Sequence, residues 1–271
     1  MDQLHHLFPT NYLLTLVIHN VVLAAWCWLL GLAVLEFGVK VNYTRKLNHF
    51  VLFMLPIALA PLLPYEPNVW TISASAVVFL ATTAIFSRPI RERFSIVRTA
   101  FASVDRPEDR PYTLCWIITQ ALAAYATLVG VFFVLRAWGD PRLITIPLLI
   151  TAIGDGLAEP VGVRFGRHRY RVMSWVSGRE YVRSWEGSAC VLVSSVVILL
   201  CMSSLLTTTQ LICLLLFLPP LMTLIEAVAP HSWDAPFLYV VGGGTIAIVL
   251  LVFPTPGMAT ASLSHAEALM N

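Results

Sequence analysis

The sequence predicts an all-α fold: a polytopic integral membrane protein with about eight transmembrane helices, each of about 20 apolar residues. Three observations carry that reading. Of the 271 residues, 58% are hydrophobic and only 12% are charged, against roughly 25% charged residues in an average soluble domain. The apolar residues form long unalternated runs. Lipid offers the backbone no hydrogen bonds, so such runs satisfy their own as helices rather than as a barrel. Finally, the basic residues are sorted among the loops, as multi-pass proteins require.

The runs cover roughly 11–37, 49–66, 69–87, 112–137, 143–163, 187–206, 209–229 and 237–253, each near the length of a helical span. Pro160 interrupts the fifth and the Pro219-Pro220 pair the seventh, each freeing a helical carbonyl. The first run lacks the basic start and small-residue cleavage site of a signal peptide and is too long for one, so it is expected to remain as a span. Cys27, Cys115, Cys190, Cys201 and Cys213 all lie in apolar sequence and read as small buried hydrophobes. With eight spans, all but Arg136 and Arg142 of the 17 Lys and Arg residues fall in the loops after the first, third, fifth and seventh. The positive-inside rule makes that side cytoplasmic and puts both termini opposite. One membrane domain is expected over 1–271.

The loop after the first span carries Arg45, Lys46 and His49, with Arg45 and His49 on one helical face. On residue types alone this is an anchor at the headgroups. The segment 88–111 is too charged to span. Ile90, Phe94, Val97 and Phe101 recur among its arginines, which predicts a helix lying in the cytoplasmic interface and holding anionic lipid.

The most informative stretch runs from Ile150 to Val191. Asp155 and Glu159 sit inside an apolar run, where an ionised carboxylate costs roughly 2.5–3.5 kcal/mol on insertion scales and so faces a partner, cavity or substrate path. One turn apart, they can share a divalent cation, and hard oxygen ligands suit magnesium held jointly with substrate phosphates. Gly154, Ala158, Gly162 and Gly166 form a small-residue stripe beside them. The loop that follows supplies Arg164, Arg167, His168, Arg169, Arg171, Arg179 and Arg183, and arginine forks suit phosphate oxygens. Ser184 is placed to cap the next helix, whose first turn holds Glu186, Gly187 and Ser188; a helix N-terminus favours anions. Each part also has an ordinary role: a positive-inside loop, an acid complementing a helix dipole, a packing stripe. Further along, Glu226 lies in an apolar run and Asp234 in the loop after it.

RKLNH at 45–49, GDGLAEPVGVRFGRHR at 154–169, RSWEGS at 183–188, and Glu226 with Asp234 and Pro236 resemble the polyprenol kinase family of phytol, farnesol and dolichol kinases. The pieces cover about a seventh of the chain; the GDG segment followed by EGS is the specific part. The resemblance implies a membrane-embedded lipid kinase that moves the terminal phosphate of CTP, or another nucleoside triphosphate, to the hydroxyl of an isoprenoid alcohol. It makes 154–190 the nucleotide-binding loop, with Gly154, Gly156, Gly187, Ser188, Arg164, Arg167, Arg169 and Arg183 at the nucleotide. Arg183 stands where the family commonly has lysine, and Ala235 where asparagine or aspartate is common.

The expected mechanism follows from the needs of phosphoryl transfer, which are positioning and charge neutralisation. Asp155, with Glu159 or Glu186, holds Mg2+ on the triphosphate; the arginines stabilise charge on the transferred group; a carboxylate or His49 takes the hydroxyl proton. Arg45, Lys46, Glu226 and Asp234 are further candidates on the same face. The expected partners are a lipid alcohol in the bilayer and a nucleoside triphosphate, with no nucleic acid; oligomeric state is left open. Two alternatives use the same ingredients: a CTP-dependent cytidylyltransferase of the phosphatidate type, and a non-enzymatic lipid or ion carrier.

Overall fold

The computed structural model describes residues 7–138, 140–173, 180–229 and 233–254. In chain order the elements are α1 (Thr10–Phe37), α2 (Val41–Leu59), α3 (Val69–Ala84), the short α4 (Arg88–Arg93) and α5 (Ser95–Ala102), and α6 (Thr113–Trp138). There follow α7 (Pro141–Phe165), strands β1 (Arg169–Met173) and β2 (Glu180–Ser184), α8 (Trp185–Cys201), α9 (Thr208–Val228) and α10 (Asp234–Val252). The chain is a helical membrane protein. A helix stands at each of the eight expected positions, but among the described residues only α1, α6, α7, α9 and α10 are long and apolar enough to cross a membrane. The reason is length and charge. α3 and α8 have 16 and 17 residues, about 25 Å at 1.5 Å per residue, short of a hydrocarbon core of about 30 Å; α2 spends its first turns on Arg45, Lys46 and His49.

The chain packs as two compact units, Met1–Tyr125 with Glu159–Arg164, and Ala126–Ala158 with Phe165–Asn271. In the first, α1 packs against α2 and α5. Gly31 makes the second contact possible: a Cβ there would lie 1.8 Å from the Thr99 carbonyl oxygen, so α5 crosses α1 at backbone distance. The expected interfacial helix is therefore not one helix with one apolar face. It breaks at Phe94, which is exposed along with Ile96, while Phe101 is buried against Phe86 and beneath the Arg91 guanidinium. Docking on α1 decides which of these side chains turns inward, and helical spacing alone does not. Asn48 ties α2 to the same place, donating to Ser103 Oγ at 2.8 Å and accepting from Cys27 Sγ.

In the second unit α8, α9 and α10 pack in sequence, and α8 also covers the middle of α7. Leu135, Ile150, Val191, Leu199, Leu218 and Ile246 are among the buried core, whereas Val193, Leu216 and Ile248 face outward, as lipid-facing side chains do. α7 is not uniform. Pro147 lacks an N–H, and the following Ile150–Asp155 turn widens to a π-helix before α-helix resumes at Gly156; such bulges re-aim side chains. Asp155 is its last residue.

The all-helical expectation misses one element. RYRVM and EYVRS pair as an antiparallel ribbon, with Tyr170 opposite Arg183. Alternating polar with aromatic or β-branched residues suits a strand half covered by protein, and here Tyr170, Val172, Tyr181 and Arg183 are more covered than Arg169, Arg171 and Val182. Arg179 lies outside the described residues.

Candidate active site

Strand alternation decides which basic residue enters the second unit. On β1, Arg169 and Arg171 point outward and are exposed; Arg169 Nε returns to the Gly166 carbonyl and Arg171 pairs with Glu180 at 3.1 Å. Arg164 and Arg167 are exposed as well. Arg183 faces inward with its side chain 13% exposed, donating through Nη1 to Glu226 Oε1 and through Nη2 to the Ala229 carbonyl at 3.4 Å. Burial on its own would lower the Arg183 pKa, but the carboxylates of Glu226, Asp234 and Asp155 outweigh it and raise it above the ordinary value. All three acids are buried. Arg183 is thus paired with one buried carboxylate and lies within the field of two more. Ser188 Oγ donates to Glu226 Oε2 at 3.1 Å and meets the Tyr170 hydroxyl at 2.7 Å.

The glycines of the two short motifs serve approach between helices. A Cβ on Gly154 would lie 2.5 Å from Ser194 Oγ and 3.1 Å from Val191 Cα; one on Gly187 would lie 2.6 Å from the Ala158 carbonyl oxygen. Gly156 is buried in the same helix. Gly154 and Gly187 therefore bring α7 and α8 into backbone contact beside Asp155 and Ser188. Ser184 caps α8 as expected, its Oγ accepting from Gly187 N at 3.1 Å. Glu186 is occupied with the loop: its Oε1 accepts from the Arg167 and His168 backbone N–H groups at 3.1 and 3.2 Å and meets His168 Nδ1 at 2.9 Å.

Glu159, expected to share a cation with Asp155, finds its partners in the first unit. Asn42 Nδ2 donates to it at 2.8 Å and Arg106 Nη1 at 3.1 Å, with Arg45 Nη1 at 3.5 Å and Lys46 Nζ at 3.9 Å. Arg106 is 1% exposed and also grips Asp109 at 2.7 Å. Burial opposes its charge, yet Glu159 and Asp109 raise its pKa. Thr44 Oγ1 donates to the Ser103 carbonyl at 2.7 Å and fixes the start of α2. The His49 ring lies tilted against Phe53, with centroids 4.7 Å apart.

Part of the chain is similar to a phytol kinase. The match is 44% identical over 68 residues to the phytol kinase of Synechocystis sp., and those residues are 25% of this chain and 25% of that protein. The chain thus matches about a quarter of that relative's length. No family model matches, and no solved structure matches.

Asn42 and Arg106 in the first unit, and Tyr170 in the second, each support the cluster of their own unit and were not singled out from residue types. A charged pair three residues apart in RPED was the available signal for Arg106. Tyr170 carried none while its segment read as loop, because alternation has meaning only on a strand.

Proposed function

We propose that the protein is a membrane-embedded lipid kinase whose reaction is run by the buried cluster of the second unit. The observation that carries this is the buried Arg183–Glu226 pair, with the buried carboxylates of Asp155 and Asp234 near enough to act on the same guanidinium. A buried excess of carboxylate needs a cation to offset it, and an arginine fork suits phosphate oxygens. Among the described residues no three His, Cys, Asp or Glu side chains converge as a metal site. Magnesium takes one or two carboxylates and completes its shell with water and substrate phosphate. Asp155 and Asp234 would hold it, and bound there it would neutralise charge on the triphosphate.

Arg183 then orients the donor phosphates and stabilises charge on the transferred group, and a carboxylate of the cluster accepts the proton of the acceptor hydroxyl. Glu159 and Glu186 are reassigned in this reading. The first orders Arg45, Lys46 and Arg106; the second fastens the loop at Arg167 and His168. The partial likeness to a phytol kinase supports an isoprenoid alcohol as acceptor; CTP as donor rests on the family resemblance of the motifs, and a cytoplasmic side for the basic loops on the positive-inside rule.

The test is incubation of purified protein with labelled CTP or ATP, magnesium and a panel of isoprenoid alcohols. Lipid monophosphate and nucleoside diphosphate are the expected products. Pyrophosphate with a nucleotidyl lipid would overturn the kinase reading in favour of nucleotidyl transfer, and the absence of magnesium-dependent nucleotide binding would leave a carrier.

A further inference from the structure

The hydroxyls of Tyr170 and Ser188 have no role in the reaction as stated, yet they lead to its central guanidinium, and their hydrogen bonds have a direction. Glu226 receives Arg183 on Oε1 and the Ser188 hydroxyl on Oε2. A serine hydroxyl has one proton to give. Having given it to Glu226, Ser188 accepts from Tyr170, 2.7 Å away. The phenol donates to the serine, the serine to the carboxylate, and the carboxylate holds the arginine.

The same two ends are joined through the backbone, because Tyr170 and Arg183 are cross-strand partners in the ribbon and leave the same face of it. The Tyr170 ring stands against Trp185, centroids 5.4 Å apart, which sets where its hydroxyl points. A carboxylate turns freely about its last torsion when only one oxygen is held. The Ser188 bond holds the second oxygen.

We propose that Tyr170 and Ser188 are positioning residues: donating in series to Glu226, they fix the plane of that carboxylate and thereby aim the Arg183 guanidinium at the donor phosphates. This rests on reading the second unit as a kinase site. Neither hydroxyl touches substrate. Their effect passes entirely through Arg183, and a fork held within about 0.5 Å and 10–20° is what aligned phosphate binding needs.

Tyr170→Phe removes one oxygen and keeps the ring against Trp185. The expected result is a kcat lowered about 3- to 10-fold with the KM for the alcohol unchanged, because orientation at the transition state and not uniform binding is lost. In an Arg183→Lys background, where no planar fork remains to be aimed, the same change should cost less than about 2-fold. Ser188→Ala should cost more than Tyr170→Phe, and adding Tyr170→Phe to it should cost nothing further. Equal losses in all backgrounds, or no loss in the parent chain, overturn the proposal. A second measurement needs no turnover: unfolding midpoints in detergent for Tyr170→Phe, Glu226→Gln and the double variant. Shifts that fall short of additive support the chain and additive shifts overturn it. A parent protein that makes no lipid phosphate from any nucleotide overturns the kinase reading and this role together, while the unfolding cycle still decides whether the hydrogen-bonded chain exists.

Discussion

The two units use the same side-chain types in opposite proportion. In the first, Glu159 is one carboxylate facing Arg45, Lys46 and Arg106; in the second, Arg183 is one guanidinium paired with Glu226 and within the field of Asp155 and Asp234. An acid ringed by cations is satisfied, and it orders the basic side chains around it. A cation ringed by acids leaves negative charge over, which desolvation makes costly until another cation arrives. Asp155 and Glu159 are four residues apart and read alike in the sequence, yet they fall on opposite sides of this division. Acid count near a motif therefore does not by itself say which acids are already neutralised; the ratio of acids to cations in each cluster does.

Variants can break or sharpen that contrast. The largest effect is expected from Asp155→Asn, which should reduce lipid phosphate formation by about 100-fold or more, as loss of a group that organises transition-state charge does, with insertion into membranes unchanged. Arg183→Ala comes next. It strips the buried Glu226 of its ion-pair partner and should cost about 3–5 kcal/mol of stability, read as a lowered unfolding midpoint in detergent together with loss of activity. Glu159→Gln should be milder. It leaves Arg106 facing Asp109 and should cost about 2 kcal/mol at this part-exposed position, without changing the magnesium concentration for half-maximal activity. A raised magnesium requirement there, of the kind expected for Asp234→Asn, would put Glu159 back among metal ligands and dissolve the contrast. Glu186→Gln should change activity least, within about two-fold, because a glutamine oxygen still accepts the Arg167 and His168 N–H groups.

Much of this was legible in the chain itself. The eight apolar stretches each became a helix because backbone hydrogen bonds in lipid can be closed only locally. Ser184 announced its cap, and the acids at 155, 159 and 226 announced partners, because a carboxylate in an apolar run demands them wherever it lands; Asp234 was legible only as a loop acid. The identity of those partners was not legible. Seven basic or imidazole side chains precede α8 in one segment, and only the pairing of Tyr170 with Arg183 turns one arginine inward; reading the segment as loop hid the alternation.

What the sequence determined by itself is local in its physics: membrane class, helix positions, proline breaks, a helix cap, and the presence of buried charge. What tertiary structure alone decided is pairwise and distant. Asn42 and Arg106 reach Glu159 from 117 and 53 residues away, and Arg183 reaches Glu226 across 43. No periodicity encodes such contacts, because they depend on where glycines such as Gly31, Gly154 and Gly187 let two helices meet. Electrostatic energy falls with distance in space and takes no account of separation along the chain.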